Sequence, residues 1–244
     1  MNMNTTILIP ARLMSTRFPR KALSLIDGVP MVICCAKNAI NTGLPVYVCT
    51  DSEEIKSVCE GYKIKAILTP DCESGTDRVA IAANKIETDY VINLQGDEPL
   101  ISAVSLNKLI SMLKKLDSKE NSIISGVEPM NSLEALDLSE AKCALTDRNS
   151  KIKYLSRQPL VNNVERSNDH IYYRQLGLYA FSIKSLRNFA SLPLGELEKA
   201  ENIELIRGIE NEFTIFSCII DDNTISVDTP DDLAKVINKI NKNK

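Results

Sequence analysis

Three sets of charged residues have types and spacings suited to handling a polyphosphate. The first lies in ILIPARLMSTRFPRK, residues 7–21, where Arg12, Arg17 and the pair Arg20–Lys21 follow a short apolar run. Arg12 offers a planar fork that grips phosphate oxygens in pairs, and Lys21 a compact ammonium. Ser15 and Thr16 add hydroxyl donors. The second is Asp97 in Gln95-Gly96-Asp97-Glu98-Pro99, where Gly96 allows a close turn against a ligand. The third is Asp228 in Val227-Asp228-Thr229-Pro230. Two carboxylates far apart in sequence, each just past an apolar run, suit a hard divalent ion bridging to a phosphate, and Mg²⁺ is the expected metal. A fourth segment, Glu73-Ser74-Gly75-Thr76-Asp77-Arg78, opens a helix whose backbone N–H groups suit a base or a phosphate. Each feature also has a plainer reading. The basic loop can be a solvated surface and Gly96-Asp97 a tight turn. Ser74 or Thr76 can be a simple cap, and Thr229-Pro230 a cap with its first helical residue.

The elements that must carry these residues alternate. Ile7–Ile9 reads as a buried strand stopping at Pro10, and Met31 to Ile40 as a helix ending near Gly43. Pro45–Cys49 is a second strand. Ser52 caps a helix running through Val58. Lys65–Leu68 is a third strand, Asp77–Ile86 a third helix and Asp89–Leu94 a fourth strand. This alternation predicts an α/β fold: a mostly parallel, Rossmann-like sheet with helices on both faces. In such a sheet the loops at the carboxyl ends of the strands open on one edge, where ligands bind. From about Gly126 the pattern changes. Lys142–Leu145 and Lys151–Leu155 flank the turn cluster Asp147-Arg148-Asn149-Ser150, and Val161–Asp169 reads as an exposed loop. Leu176–Phe181 is a strand, Glu196–Ile209 an amphipathic helix, Phe213–Ile220 a strand and Asp231–Ile240 a closing helix. The expectation is one domain over 1–244, with a smaller lobe inserted at roughly 126–195.

Bulk properties narrow the function. The chain has 244 residues, 44% of them hydrophobic and 25% charged, with a net charge of −3, which argues against coating a nucleic acid or an anionic membrane. No apolar run approaches the roughly 20 residues that span a bilayer, and MNMNTT lacks the regions of a signal peptide, so a cytoplasmic protein is expected. The 7 cysteines show no C-x-x-C spacing and read as reduced, small apolar side chains. With a single histidine, His170, a His-rich metal site or a Ser–His–Asp triad is not expected. Neither a P-loop nor a dinucleotide fingerprint occurs.

Taken together, PARLMSTRFPRK, ESGTDR, NLQGDEPL, YLSRQP, LGLYAF and VDTPDDL occur in the order and spacing of one enzyme family. The chain resembles the 3-deoxy-manno-octulosonate (Kdo) cytidylyltransferases, the CMP-Kdo synthetases of lipopolysaccharide and capsule synthesis, from Ile7 to about Ile240. PAR-x-x-STR is shared with CMP-sialate synthetases, whereas QGDEP with SGTDR and VDTP is narrower. The resemblance implies a nucleotidyltransferase in which Ala11, Arg12, Ser15, Arg17, Lys21, Ser74, Gly75 and Thr76 hold CTP. Asp97 and Asp228 would hold Mg²⁺ and, with Lys21, form the catalytic set. Arg78, Gln95, Arg157, Gln175, Tyr179 and Glu204 would face the sugar acid, with Arg157 on its carboxylate. It further implies in-line attack of the anomeric hydroxyl on the α-phosphorus, loss of pyrophosphate and a homodimer.

The departures from the family pattern fall on the sugar side. Gln175 stands where a histidine is usual, Leu205 where a glutamine is usual, and Met14 replaces a common glycine. Gln175 can donate a hydrogen bond but carries no charge, so an altered ulosonic acid such as the 8-amino analogue is an alternative acceptor. The rivals are a CMP-sialate or CMP-pseudaminate synthetase and a catalytically silent nucleotide-binding paralogue.

Overall fold

In the computed structural model, strand β1 (Thr5–Ala11) is buried along its whole length, as a strand of a parallel sheet covered on both faces requires. The structure describes residues 3–15, 17–118, 120–131, 133–146, 151–160 and 172–242. Thr16, His170, the expected turn at 147–150 and the expected loop at 161–169 lie outside them. The chain divides into two compact units, Met1–Asn107 with Asp222–Lys244, and Lys108–Asp221. The second is wider than the lobe expected at 126–195.

The first unit carries, after β1, the short strands β2 (Leu25–Ile26) and β3 (Val29–Pro30), then α1 (Met31–Ile40), β4 (Val46–Thr50) and α2 (Glu53–Gly61). β5 (Lys65–Leu68), α3 (Gly75–Ala83), β6 (Tyr90–Leu94) and α4 (Ala103–Ile110) follow. β4 pairs in parallel with β5 and with β1, and β1 in parallel with β6. Parallel neighbours need long crossovers, which α1 to α3 supply. β1 runs through Pro10 rather than stopping there. Its pairing with β6 covers only Thr5 to Leu8, so proline sits where that edge is already free and its missing N–H costs little. Asp27 and Gly28, both at positive φ, make the two-residue turn between β2 and β3 that an Asp-Gly pair favours. α3 begins at Gly75, two residues earlier than expected, because the Ser74 hydroxyl accepts from the Asp77 N–H at 3.1 Å.

The second unit contains β7 (Ser122–Met130), β8 (Lys142–Thr146), β9 (Lys151–Ser156), β10 (Tyr172–Ser182), α5 (Ile183–Ala190), α6 (Glu196–Glu201), α7 (Leu205–Glu210) and β11 (Thr214–Ile219). β7 and β11 are parallel; β10–β7, β11–β9, β8–β9 and β10–β8 are antiparallel. A register shift interrupts β10 between Gln175 and Tyr179. The single helix expected over Glu196–Ile209 is two helices. Asn202, at φ 53, takes the left-handed conformation that ends α6. The apolar spacing continues across the break because Ile203, Leu205 and Ile206 are all buried, so periodicity alone hides it.

The chain returns to the first unit and ends in α8 (Pro230–Lys242). Val227 and Val236 join Ile26 and Met31 in one buried cluster, with Phe18, Leu233, Ile237 and Ile240 packed against it. Each such side chain contributes up to about 1.5–3 kcal/mol. The cluster fixes both the cationic loop, through Phe18, and the segment carrying Asp228. All seven cysteines are free thiols. Burial raises the Cys49 and Cys143 thiols to about 12, which leaves them unreactive as nucleophiles.

Candidate active site

The chain leaving β6 and the chain returning before α8 are stitched together at matched points. The Val227 N–H donates to the Asp97 carbonyl at 2.9 Å, and the Ser226 hydroxyl donates to Glu98. The backbone N–H and hydroxyl of Ser102 donate to Asp222 at 2.8 and 2.9 Å. Gly96 fits this crossing for a structural reason. A Cβ there would lie 2.7 Å from the Pro10 carbonyl, so the close approach of β1 is enough to exclude a side chain.

Thr229 and Asp232 set the direction of Asp228. The Asp232 carboxylate accepts from the Thr229 hydroxyl at 2.8 Å, the Thr229 N–H at 3.1 Å and the Asp228 N–H at 3.3 Å, and the Asp232 N–H returns a bond to Thr229. With Pro230 as the first helical residue, this is a capping box. Burial would raise the Asp232 carboxyl, but hydrogen bonds from Lys235 and Thr229 and the Lys235 charge outweigh it and hold it below its ordinary value. The T-x-x-D spacing signals this box in the sequence, beyond the Thr-Pro pair expected as a cap and first helical residue.

Asp97 and Asp228 meet at Lys21. Its ammonium lies 2.8 Å from Asp97 Oδ2 and 3.1 Å from Asp228 Oδ1. The Arg17 guanidinium reaches the same Asp228 oxygen at 3.1 Å. Two carboxylates and two cations thus form a charge-balanced group. Burial alone would lower the Lys21 pKa; the Coulombic pull and hydrogen bonds of Asp97 and then Asp228 overcome it and raise it above 10.5. At neutral pH Lys21 is a fixed cation, not a proton acceptor. The donor set fits a hard divalent ion: two carboxylates from separate loops already share one cation.

The other nucleotide-side residues divide. Ala11 is buried at the end of β1, and Ser15 is half-buried beyond it. Arg12 is exposed, with no ion-pair partner among the described residues. Arg20 turns away to make a two-pronged ion pair with Glu54 on α2, so it is not part of the cluster. Ser74 caps α3 and Gly75 packs against the Gln95 side chain. Thr76 is fully buried and accepts from the Asn93 amide at 3.0 Å, which makes its hydroxyl a tie between α3 and β6. Gln95 donates to Asn93 at 3.3 Å and extends that tie. Arg78, 3% exposed, is held by Asp51 at 2.7 Å and Thr69 at 2.6 Å. It braces the ends of β4 and β5 instead of facing solvent.

In the second unit, the Arg157 guanidinium donates to the carbonyls of Glu201 at 2.8 Å, Asn202 at 3.2 Å and Ser139. Those bonds close the end of α6, so the donors expected for a sugar carboxylate are engaged within the protein in this conformation. Gln175 donates to the Tyr179 hydroxyl at 2.6 Å and to the Leu176 carbonyl at 2.8 Å, across the β10 register shift. Glu204 stands half-buried at the start of α7. Leu205 is fully buried, so the residue replacing the usual glutamine serves as core.

The family model for cytidylyltransferases matches residues 6–215. The chain belongs to the cytidylyltransferase family. It is 39% identical over 239 residues to the 8-amino-3,8-dideoxy-manno-octulosonate cytidylyltransferase of Shewanella baltica (strain OS195), covering 96% of this chain and 97% of that protein. It is 38% identical to the protein of the same name from Shewanella halifaxensis (strain HAW-EB4), over 95% and 96% of the two chains. Among solved structures it resembles CMP:2-keto-3-deoxy-manno-octonic acid synthetase complexed with CTP, with a TM-score of 0.90, 30% identity and coverage of 99% and 100%. A UDP-glucose pyrophosphorylase shares the fold at 13% identity, with a TM-score of 0.71 and coverage of 99% and 100%. The α/β nucleotidyltransferase fold expected from the strand–helix alternation is therefore this cytidylyltransferase's fold, and the chain is a nucleotidyltransferase enzyme.

Proposed function

We propose that this cytidylyltransferase transfers CMP from CTP to the anomeric hydroxyl of a 3-deoxy-manno-octulosonate-type sugar acid, either Kdo or its 8-amino-3,8-dideoxy analogue, with release of pyrophosphate. The observation that carries the reading is the convergence of Asp97 and Asp228 on Lys21, beside the cationic loop. The likeness to enzymes named for the 8-amino acid and the uncharged Gln175 support the amino acid as an acceptor, since a neutral amide does not repel an ammonium. The activated sugar would feed lipopolysaccharide or capsule assembly, and the cytoplasm, where CTP is made, is its expected place of action.

The chain's own residues have distinct parts in this reaction. Arg12, exposed and uncommitted, grips phosphate oxygens; Lys21 and Arg17 add positive charge beside them. The Ser74-capped start of α3 favours negative charge or the polar edge of the nucleotide. Asp97 and Asp228 would hold Mg²⁺, which when bound supplies charge neutralisation for the phosphates and the leaving pyrophosphate. Such a transfer needs positioned charge more than a covalent nucleophile. Gln175, oriented by Tyr179, is proposed to hydrogen-bond the sugar, with Glu204 as a further polar contact. Thr76, Arg78 and Arg157 are assigned to bracing, because their polar atoms are already engaged.

Pyrophosphate release from CTP and Mg²⁺, measured with Kdo, 8-amino-Kdo, sialic acid or no sugar, tests the proposal. Release is expected with an octulosonate only. Release with sialate alone would overturn the substrate, and CTP binding without turnover of any acceptor would favour the silent paralogue. A homodimer is proposed on the strength of the family resemblance and of Leu133, Leu136 and Leu138, which the second unit exposes together. Light scattering is expected to give twice the 27.1 kDa chain mass; a monomer at micromolar concentration would remove that part.

A further inference from the structure

We infer that Lys21 and Arg17 are built-in counter-ions that keep the metal position closed until a triphosphate draws them away, so that nucleotide-free protein resists divalent ions. The inference rests on the reading of Asp97 and Asp228 as metal ligands. The Lys21 ammonium touches both carboxylates, at 2.8 and 3.1 Å, and Arg17 reaches the same oxygen of Asp228 at 3.1 Å. A magnesium-sized ion binds carboxylate oxygen at about 2.1 Å, so it and the ammonium crowd the same pair of carboxylates. They also repel one another at that range.

The protein has the means to release both cations. Lysine swings on a flexible four-carbon stem, and the Arg17 side chain is 58% exposed. A triphosphate carries more charge than the two carboxylates, so it can recruit Lys21 and Arg17 and leave Asp97 and Asp228 free for the metal. By linkage, metal and nucleotide must then raise each other's affinity. Arg12 supplies an internal contrast. It is exposed and outside the balanced group, so it adds affinity for phosphate without guarding the metal position.

Electron paramagnetic resonance of free Mn²⁺, titrated into the nucleotide-free full chain, tests this directly. Lys21→Ala is expected to tighten Mn²⁺ binding at least tenfold and Arg17→Ala several-fold. Lys21→Arg is expected to stay weak because the charge is kept, and Arg12→Ala to match the unsubstituted protein. A lysine with a purely structural role would give weaker or unchanged metal binding on removal. Arg17→Ala, at an exposed side chain, keeps the test open if Lys21→Ala fails to fold. The inference is overturned if neither variant tightens binding while Asp97→Asn abolishes it. If Asp97→Asn in the Lys21→Ala background leaves Mn²⁺ binding unchanged, the metal reading itself falls.

Discussion

Asp97→Asn lowers turnover by on the order of 10³-fold, about 4 kcal/mol of transition-state stabilisation, while the protein stays folded. The substitution keeps the shape of the side chain, and an asparagine oxygen can still accept from Lys21, now 2.8 Å from the carboxylate. What it loses is a negative charge at a point shared by Lys21, Asp228 and Arg17. The backbone bond from Val227 to the Asp97 carbonyl does not involve the side chain, so the stitched loops persist. Pyrophosphate release at saturating CTP and acceptor, with circular dichroism as the control for folding, gives the measurement. Asp228→Asn is expected to fall by a similar factor, and the double variant little further, because residues acting as one unit are not additive. Undiminished activity in Asp97→Asn would show that the carboxylate pair is a structural ion-pair group and not a metal site.

Glu198→Ala destabilises the protein by about 3–5 kcal/mol, the cost of breaking a buried ion pair from one side. Arg207 is 2% exposed and donates from Nε and from a terminal nitrogen to the two oxygens of Glu198, both at 2.8 Å. Its guanidinium also lies 5.0 Å from the centre of the Phe189 ring. Removing the carboxylate takes two charge-assisted hydrogen bonds from a buried cation. Urea titration followed by circular dichroism reads the loss. The paired change Glu198→Leu with Arg207→Met should recover most of it, since two apolar side chains need no partner there. A single variant within about 1 kcal/mol of the starting protein would mean that water reaches Arg207 and the pair is not isolated.

Periodicity and end signals carried much of the first unit in the linear sequence. α1 over Met31–Ile40 and β5 over Lys65–Leu68 match to the residue; α1 does so because its apolar spacing reports a buried face, whereas β5, half-buried at Ala66, Ile67 and Leu68, is marked by its short apolar run. Ser52 caps α2 as read, accepting from the Ile55 N–H at 3.3 Å, since capping is settled within one turn of chain. The cytidylyltransferase motifs were legible for a related reason: the chemistry requires particular side chains just past the strands, and those positions can be counted. Less was legible where neighbours in space override local pattern. α4, β7 and α5 went unread, and the break at Asn202 is invisible to a spacing that stays apolar across it.

The partner of each charge was a matter for the folded chain. Arg12, Arg20, Lys21, Arg78 and Arg157 look alike as cations in a sequence. Folding gives Arg20 to Glu54, Arg78 to Asp51, and Arg157 to carbonyls at the end of α6, while Lys21 is drawn between two carboxylates. A residue's type states how strongly it can attract an opposite charge. Which charge it meets depends on segments up to 207 residues away along the chain, as for Lys21 and Asp228, and those distances exist only once the core has closed.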